Sequence, residues 1–596
     1  MMTLLAAIAL AQAAPGYGDG ADYRARPPED EIVYFVLPDR FDNGDPANDR
    51  GGIEGGKFDH GFDPASRAFY NGGDLAGLTR RLDYLEELGI TAIWFAPIFK
   101  NKAVQGGPGQ ESSGYHGYWV TDFTSVDPHF GTNEEFDAFV DAAHARGMKV
   151  YMDIITNHTA DVINYRDGGD YSYRSLADYP YSTRGGVDGE AINEGFAGDQ
   201  VMTVENFTRL TDPNYAYEVV IPEGERDVKV PAWLNDPIYY HNRGDTTFKG
   251  ENSLYGDFVG LDDLFTENPL VMGGMIEIFG DWIDRFGVDG FRIDTARHVN
   301  NEFWQAFLPA MEARSEAAGI PHFHMFGEVY SDETTPGYLA RYTHMAAFPA
   351  LLDFAFSASA IETIGGEAGT DVWARLFEED VLYRGGFETA KTLPTFLGNH
   401  DKGRFSGLIK ERRPDISQDE LLKRVMLGHA MLLTLRGSPV IYYGAEQGFV
   451  SDGNDQLARE TMFPSRVAEY NDNDLLGTEA TTAEENFDRE HPLYREIARL
   501  AGLRKASPAL RQGRQVTRGY GETPGLFAAS RFDPQTGREV LLLFNTSNEA
   551  IDGQVLVETG SMEWTSLVGE CVSTSSAPGS VRYALPPLGY AMCEAK

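Results

Sequence analysis

Cysteine is almost missing from this chain of 596 residues: only Cys571 and Cys593 occur, both near the C-terminal end. Two such positions leave no basis for a zinc framework or a thiol catalyst. They form one disulfide if the chain is exported, or stay two buried free thiols. Positive charge is scarce as well. Lys and Arg number 50 against 91 Asp and Glu, a net charge of −41. So acidic a surface repels phosphate and anionic lipid, and no nucleic-acid partner is expected. The charge is spread along the chain, as in a solubilising surface. Long hydrophobic runs are missing too. The longest, Thr3–Ala14, is too short to span a bilayer, so no membrane insertion is expected. It ends in Ala11-Gln12-Ala13, the small-residue pattern of a secretory signal cleaved near Ala13 or Ala14. Its start carries no Lys or Arg, and a trimmed start site or a frayed terminus is the other reading. Residues 1–14 are thus the candidate signal peptide, and the expected location is secreted or periplasmic. There is no internal repeat and no low-complexity linker.

What is present is a globular composition, 42% hydrophobic and 24% charged. Short β-branched or aromatic runs alternate with amphipathic helices. The expected strands are Ile32–Leu37, Thr91–Ala96, Lys149–Ile155, Val288–Ile293, Phe323–Phe326, Leu351–Phe356, Pro394–Leu397 and Pro439–Tyr443. They read as continuous apolar runs, as strands buried on both faces do. Leu75, Leu78, Leu82, Leu85 and Leu88 form a helical stripe, and Thr132 with Glu135 forms a capping box. Repeated strand–helix units predict an α/β fold, a parallel (β/α)8 TIM barrel. The barrel takes residues 30–156 and 266–506. The gap after the third strand, residues 157–265, is too long for one crossover and reads as an inserted domain. Residues 507–596 lose the helical pattern and predict a C-terminal antiparallel β-domain, a β-sandwich.

In such a barrel chemistry sits at the C-terminal ends of the strands. Those ends carry Asp153 to His158, Arg292 to His298, Gly327-Glu328 and Asn399-His400-Asp401. Asp294, Glu328 and Asp401 would converge on one mouth, flanked by Arg292, His158 and His400. Two carboxylates about 5–5.5 Å apart suit retaining glycoside hydrolysis. The same cluster could instead hold a divalent metal for hydrolysis, or each carboxylate could merely cap a helix. Arg292 lies two residues before Asp294 and so on the same strand face, which keeps Asp294 ionised. Glu328 has no cation beside it in sequence and is freer to hold a proton.

The ordered stretches Asp153-Ile-Ile-Thr-Asn157-His158, Gly290-Phe-Arg292-Ile-Asp294-Thr-Ala-Arg297-His298, Gly327-Glu328-Val329 and Phe396-Leu-Gly-Asn399-His400-Asp401 resemble the signature regions of the α-amylase family, glycoside hydrolase family 13. The resemblance runs from about Glu31 to the C-terminus and includes the plan of barrel, insertion and β-sandwich. It implies Asp294 as nucleophile, Glu328 as acid/base and Asp401 as the third carboxylate. Arg292, His158 and His400 resemble residues holding the sugar before the cleaved bond. Tyr118, in Tyr115-His116-Gly117-Tyr118-Trp119, resembles the stacking platform beneath that sugar, with His116 nearby and Trp119 read as core. Asp455 and Arg459 resemble a pair binding the next glucose, and are otherwise a surface ion pair at i, i+4.

The resemblance also implies calcium. One structural site would use Asn157, Asp263 and the backbone carbonyl of His298. A second loop, Asn43-Gly-Asp45-Pro-Ala-Asn48-Asp49, with Gly72 and Asp74, resembles the N-terminal calcium loop of cyclodextrin glucanotransferases; an ion-free Asx-rich turn is the alternative. Arg297 stands where α-amylases usually have Lys, which with His298 bears on the acceptor side. Leu261-Asp262-Asp263-Leu264 departs from the commonest amylase version, which has Pro second. The expected activity is endo-cleavage of α-1,4-glucosidic bonds in starch-like glucans and maltooligosaccharides by a monomer. The alternatives are a maltooligosaccharide-forming amylase, an α-glucosidase, a cyclodextrinase or a glucanotransferase, and a non-catalytic carbohydrate-binding protein.

Overall fold

The computed structural model describes residues 23–166 and 171–596. The candidate signal peptide lies outside the described residues. Eight parallel strands build the central sheet: β1 Val33–Val36, β2 Ala92–Phe95, β3 Lys149–Ile154, β4 Gly290–Ile293, β5 His324–Gly327, β6 Ala350–Leu351, β7 Pro394–Thr395 and β8 Ser438–Tyr442. Their spatial order is β6-β5-β4-β3-β2-β1-β8-β7. A single parallel bridge between Asp353 and Thr395 joins the two ends, so the sheet is a nearly closed barrel. All residues of β1 to β5 are buried, which is why these strands read as unbroken apolar runs.

The helices lie between the strands in sequence. The leucine stripe forms α1 Leu75–Arg80 and α2 Leu82–Leu88, separated at Arg81. The expected capping box starts α3 Asn133–Ala145, with Thr132 Oγ1 accepting from Glu135 N and the Glu135 carboxylate accepting from Thr132 N. The helices α4 Pro269–Phe286 and α5 Asn301–Ala317 flank β4, and α6 Gly337–Met345 follows β5. One expectation is corrected. Leu351–Phe356 is not one strand: β6 stops at Leu351 and α7 Phe354–Ala360 begins. Asp353 Oδ1 accepts from Phe356 N at 3.0 Å and starts that helix. Every residue of α7 is buried, and a buried helix shows the same apolar run as a buried strand.

Between β3 and β4 the chain is mostly irregular. Short antiparallel pairs, Asn164–Tyr165 with Val219–Val220 and His158–Thr159 with Asp262–Asp263, fold it back over the barrel mouth. Asp262, at the place where a Pro is commonest, is buried against Lys229 and accepts the N–H groups of Val162 and Ile163. It therefore holds the start and end of the insertion together.

After α8 Gln418–Thr434 and α9 Pro492–Ala506 come the antiparallel strands β9 Arg514–Gly519, β10 Leu526–Phe532, β11 Glu539–Asn545, β12 Ile551–Leu556, β13 Trp564–Val568, β14 Ser580–Leu585 and β15 Tyr590–Ala595. Five form one sheet, β9-β10-β11-β15-β13, and β12 pairs with β14. Residues of both sheets, among them Leu541, Leu543, Val555, Val581 and Leu585, share one small core. Cys571 and Cys593 are joined as a disulfide across 22 residues of sequence. Among the described residues no helix is long and apolar enough to cross a membrane.

Candidate active site

The register of the barrel brings the charged strand ends together. Parallel pairing of β3 with β4 sets Asp153 opposite Arg292. Period-two alternation puts Arg292 and Asp294 on one face. The Arg292 guanidinium is fully buried, and one nitrogen lies 2.8 Å from both Asp153 Oδ1 and Asp294 Oδ1. Its other terminal nitrogen lies 2.9 Å from Glu328 Oε1. Glu328 has no cation beside it in sequence, but one reaches it across the β4–β5 pairing, so it is not set apart from Asp294 by lacking a cation.

Burial, and then the Glu328, Asp153 and Asp401 carboxylates, push Asp294 well up, against the pull of Arg292. Burial likewise lifts Asp153 to about 7, although Arg292 and Trp94 Nε1 donate to it. Asp153 and Asp294 thus compete for one guanidinium, and burial outweighs its pull at both, against the expectation that Arg292 keeps Asp294 ionised. Thr295, directly after Asp294, has φ of 48°, a left-handed conformation that is strained for a β-branched residue. Its N–H donates to Glu328 Oε2 at 3.2 Å, so the strained turn after Asp294 also fixes the second carboxylate.

A cavity of about 580 Å³ opens over this cluster, lined by Tyr118, His158, Asp294, Glu328, His400 and Asp401 among others. Tyr118 Oη meets His400 Nε2 at 2.8 Å and donates to Asp153 at 3.2 Å, which orients its ring at the cavity wall. Burial pushes His158 down to about 3, so its imidazole is neutral, and its Nε2 has no partner among the described residues. His400 is lowered by burial and by the nearby Arg459 and Arg292.

Arg297 and His298 both line the cavity. Arg297 donates to Tyr330 O at 3.3 Å and Phe248 O at 3.4 Å, and His298 Nδ1 meets Ser253 O at 2.8 Å. Other expected residues stand one layer back. His116 is not on the cavity wall; its ring stacks 5.6 Å from Tyr118, and its Nδ1 accepts from Tyr118 N. Arg459 is buried, so its i, i+4 pair with Asp455 is only half at the surface. It reaches Asp401 Oδ1 and His400 O, each at 3.2 Å, and Asp455 at 2.5 Å, while Asp455 itself is exposed. Trp119, read as core, is half-buried and lines the cavity. Phe248, Phe258, Val259 and Tyr330 also line the wall and were not expected. The first three belong to the irregular insertion, where no periodicity marks a face.

Two places could hold a cation. In the N-terminal loop Asn43 Oδ1 and Asn48 Oδ1 are buried and accept no hydrogen bond. Asn43 Nδ2 donates to Asp49 Oδ1 at 2.8 Å, and a side chain at Gly72 would collide with both groups. These oxygens fit a hard cation. Asp74 anchors the loop: its carboxylate accepts from the N–H groups of Gly44, Asp45 and Gly77 and from Asn48 Nδ2. Asp45 points outward in an Asx turn to Ala47 N. At the second place Asn157 and Asp263 are buried, and Asp263 Oδ2 meets His241 Nδ1 at 2.6 Å. Among the described residues no three His, Cys, Asp or Glu side chains form a metal cluster, so any cation must draw on amide, backbone or water oxygens.

Residues 35–513 match the family described as the α-amylase catalytic domain. The chain belongs to the α-amylase family. It is 44% identical over 537 residues to an α-amylase of Streptomyces lividans, a match covering 90% of this chain and 57% of that protein. It is 28% identical over 510 residues to a cyclomaltodextrin glucanotransferase of Klebsiella oxytoca, covering 81% of this chain and 66% of that one. The chain thus spans little more than half the length of the Streptomyces relative. The solved structure of an Anoxybacillus α-amylase, 25% identical, superposes with a TM-score of 0.68 and covers 96% of this family member and 98% of that chain.

Proposed function

We propose that this chain is a retaining glycoside hydrolase of the α-amylase type, cleaving internal α-1,4 bonds of starch-like glucans and maltooligosaccharides. One observation carries this reading: Asp294 and Glu328 share the Arg292 guanidinium at the floor of one open cavity. A carboxylate pair so joined can divide nucleophilic and proton-transfer work between two residues. In the first step Asp294 attacks the anomeric carbon while Glu328 gives its proton to the departing glycosidic oxygen. The carbon–oxygen bond breaks and a β-glycosyl ester forms on Asp294. Glu328, now ionised and beside Arg292, accepts a proton from water, and that water displaces Asp294. Asp401, held by Arg459, takes sugar hydroxyls, as do His158 and His400. Bonds of this kind that tighten as positive charge develops lower the barrier selectively.

The test is a time course of products from soluble starch, resolved by chain length. A rapid fall in polymer size with mixed short maltooligosaccharides supports endo-hydrolysis. One dominant product from the outset, or cyclic products, moves the chain to an oligosaccharide-forming or glucanotransferase activity. No cleavage of any α-glucan sinks the enzymatic reading.

Calcium is proposed at the N-terminal loop, on Asn43, Asn48, Asp49 and the Gly72 carbonyl. The partnerless amide oxygens support it, and the ion would tie the loop to the start of α1. A second calcium at Asn157, Asp263 and the His298 carbonyl would tie the insertion to the barrel. Export to a secreted or periplasmic location is proposed too, supported by the Cys571–Cys593 bridge, since reducing compartments disfavour such bonds.

A further inference from the structure

A second cavity, of about 480 Å³, adjoins the first, and Phe248 and Arg297 line both. Arg297 is the strut between them. Its two guanidinium bonds end on backbone carbonyls of opposite walls, Phe248 in the insertion and Tyr330 beyond β5. Phe248 is held in the left-handed region at φ of 62°, with its N–H on Thr246 Oγ1, so the partition is built and not a random loop contact.

The walls of the second cavity have a definite chemistry. Tyr338 and Tyr342 stand one turn apart on α6, their rings 5.8 Å apart at 74° and their hydroxyls at 3.4 Å. Arg341 flanks Tyr338 at 5.8 Å. Asn300, at the start of α5, is only 7% exposed. Its Nδ2 donates to Glu302, but its Oδ1 accepts nothing from the described residues. Half-buried rings beside an amide, a carboxylate and guanidinium groups suit a ligand with apolar faces and a rim of hydroxyls. Glu302 adds a carboxylate beside the two arginines, while the buried Glu267 is paired with His241.

We propose that this cavity extends the glucan-binding cleft on the leaving-group side, with Tyr338 and Tyr342 as a stacking platform beside the Asn300 amide. The inference rests on the function proposed above. Glu328 protonates the departing oxygen, so the departing chain leaves on its side. Tyr330, two residues beyond Glu328, carries the wall that Arg297 joins to the second cavity. A glucan long enough to pass this strut would reach the tyrosines; a short one would not.

The experiment compares kcat/KM on reducing-end-labelled maltotriose and maltooctaose for the wild type, Tyr342→Ala, Tyr342→Phe and Asn300→Ala, reading both rate and bond cleaved. The octaose-to-triose ratio should fall about tenfold in Tyr342→Ala, roughly the worth of one aromatic contact. Cleavage should shift toward the reducing end, and Tyr342→Phe should keep most of the ratio. Equal loss at both lengths, or an unchanged ratio in all variants, overturns the proposal. Titration of maltooctaose and maltotriose into Glu328→Gln, with and without Tyr342→Ala, gives a readout independent of turnover. Selective weakening of the octaose supports the cavity even if the wild type cleaves no glucan, an outcome that would remove only the hydrolase reading. No selective weakening refutes it.

Discussion

The Arg292 guanidinium lies 2.9 Å from Glu328 Oε1, across the pairing of two neighbouring strands. The same group holds Asp294 at 2.8 Å, so one fixed, planar cation serves both carboxylates of the proposed retaining reaction, in which Glu328 alone switches from acid to base. In the proposed reaction it would steady Glu328 once that residue's proton has gone to the leaving oxygen, and keep Asp294 oriented as the ester forms.

Arg292→Lys tests this geometry. A lysine ammonium is a single point and cannot span Asp153, Asp294 and Glu328. Activity on maltooligosaccharides should drop about 10²–10³-fold in kcat, the scale of losing a preorganised electrostatic contact. A drop smaller than tenfold would mean that charge alone suffices and that the fork is incidental.

Glu328→Gln removes the transferable proton and little volume. Steady-state kcat on starch should fall by about 10³ or more, with maltooligosaccharide binding kept within a few-fold. A substrate whose leaving group needs no proton, such as a maltosyl fluoride, should form the glycosyl-enzyme with much less impairment. Near-normal starch turnover by the variant would refute the acid/base assignment.

The limits of the sequence reading follow from how these contacts are made. Arg292 beside Asp294 was legible because alternation along one strand fixes it. Arg292 beside Glu328 was not, because it depends on cross-strand register. The barrel strands declared themselves as buried apolar runs, yet Phe354–Phe356 has the same pattern as a buried helix, and only Asp353 as a cap marks the difference. Arg459 read either as part of a sugar-binding pair with Asp455 or as half of a surface ion pair, and its reach to Asp401 exists only in three dimensions. Phe248 and Val259 lie in an insertion held by isolated bridges and ion pairs, where nothing periodic reveals which side chains face the cleft.

If the N-terminal loop holds calcium through Asn43, Asn48 and Asp49, exhaustive chelation should lower the melting temperature of the wild type. The double variant Asn43→Ala, Asp49→Ala should already melt lower and respond less to chelator. Equal responses of the two proteins would remove this loop as the site, and no response in the wild type would remove calcium altogether.

The Cys571–Cys593 bridge clamps the loop after β13 onto β15, closing 22 residues. A loop of that size corresponds to about 3 kcal/mol in the chain-entropy account. Reduction, or the double variant Cys571→Ser and Cys593→Ser, should therefore lower the first thermal transition by several degrees, while starch cleavage at 25 °C, in the distant barrel, stays close to wild type. An unchanged transition would show that the small two-sheet core holds without its staple.

Buried histidine sets an acid limit on stability. His429 in α8 is 3% exposed, and its Nδ1–H donates to the Val425 carbonyl at 2.8 Å, which orients the ring and only partly offsets its burial. Burial pushes its pKa down to about 4, against about 6.5 in an unfolded chain. Between those values the unfolded chain binds the proton and the folded one does not. Stability is therefore full above about pH 6.5 and is lost as pH falls toward 4, at a cost of about 2 kcal/mol by pH 5. His429→Gln keeps a polar side chain but cannot titrate, so its melting temperature should fall less than that of the wild type between pH 7.5 and pH 5. The two slopes compared are a difference within each protein, so any constant destabilisation from the substitution cancels. Parallel slopes would place the acid sensitivity elsewhere, with His158 and His324, each lowered by burial to about 3, as the next residues to test.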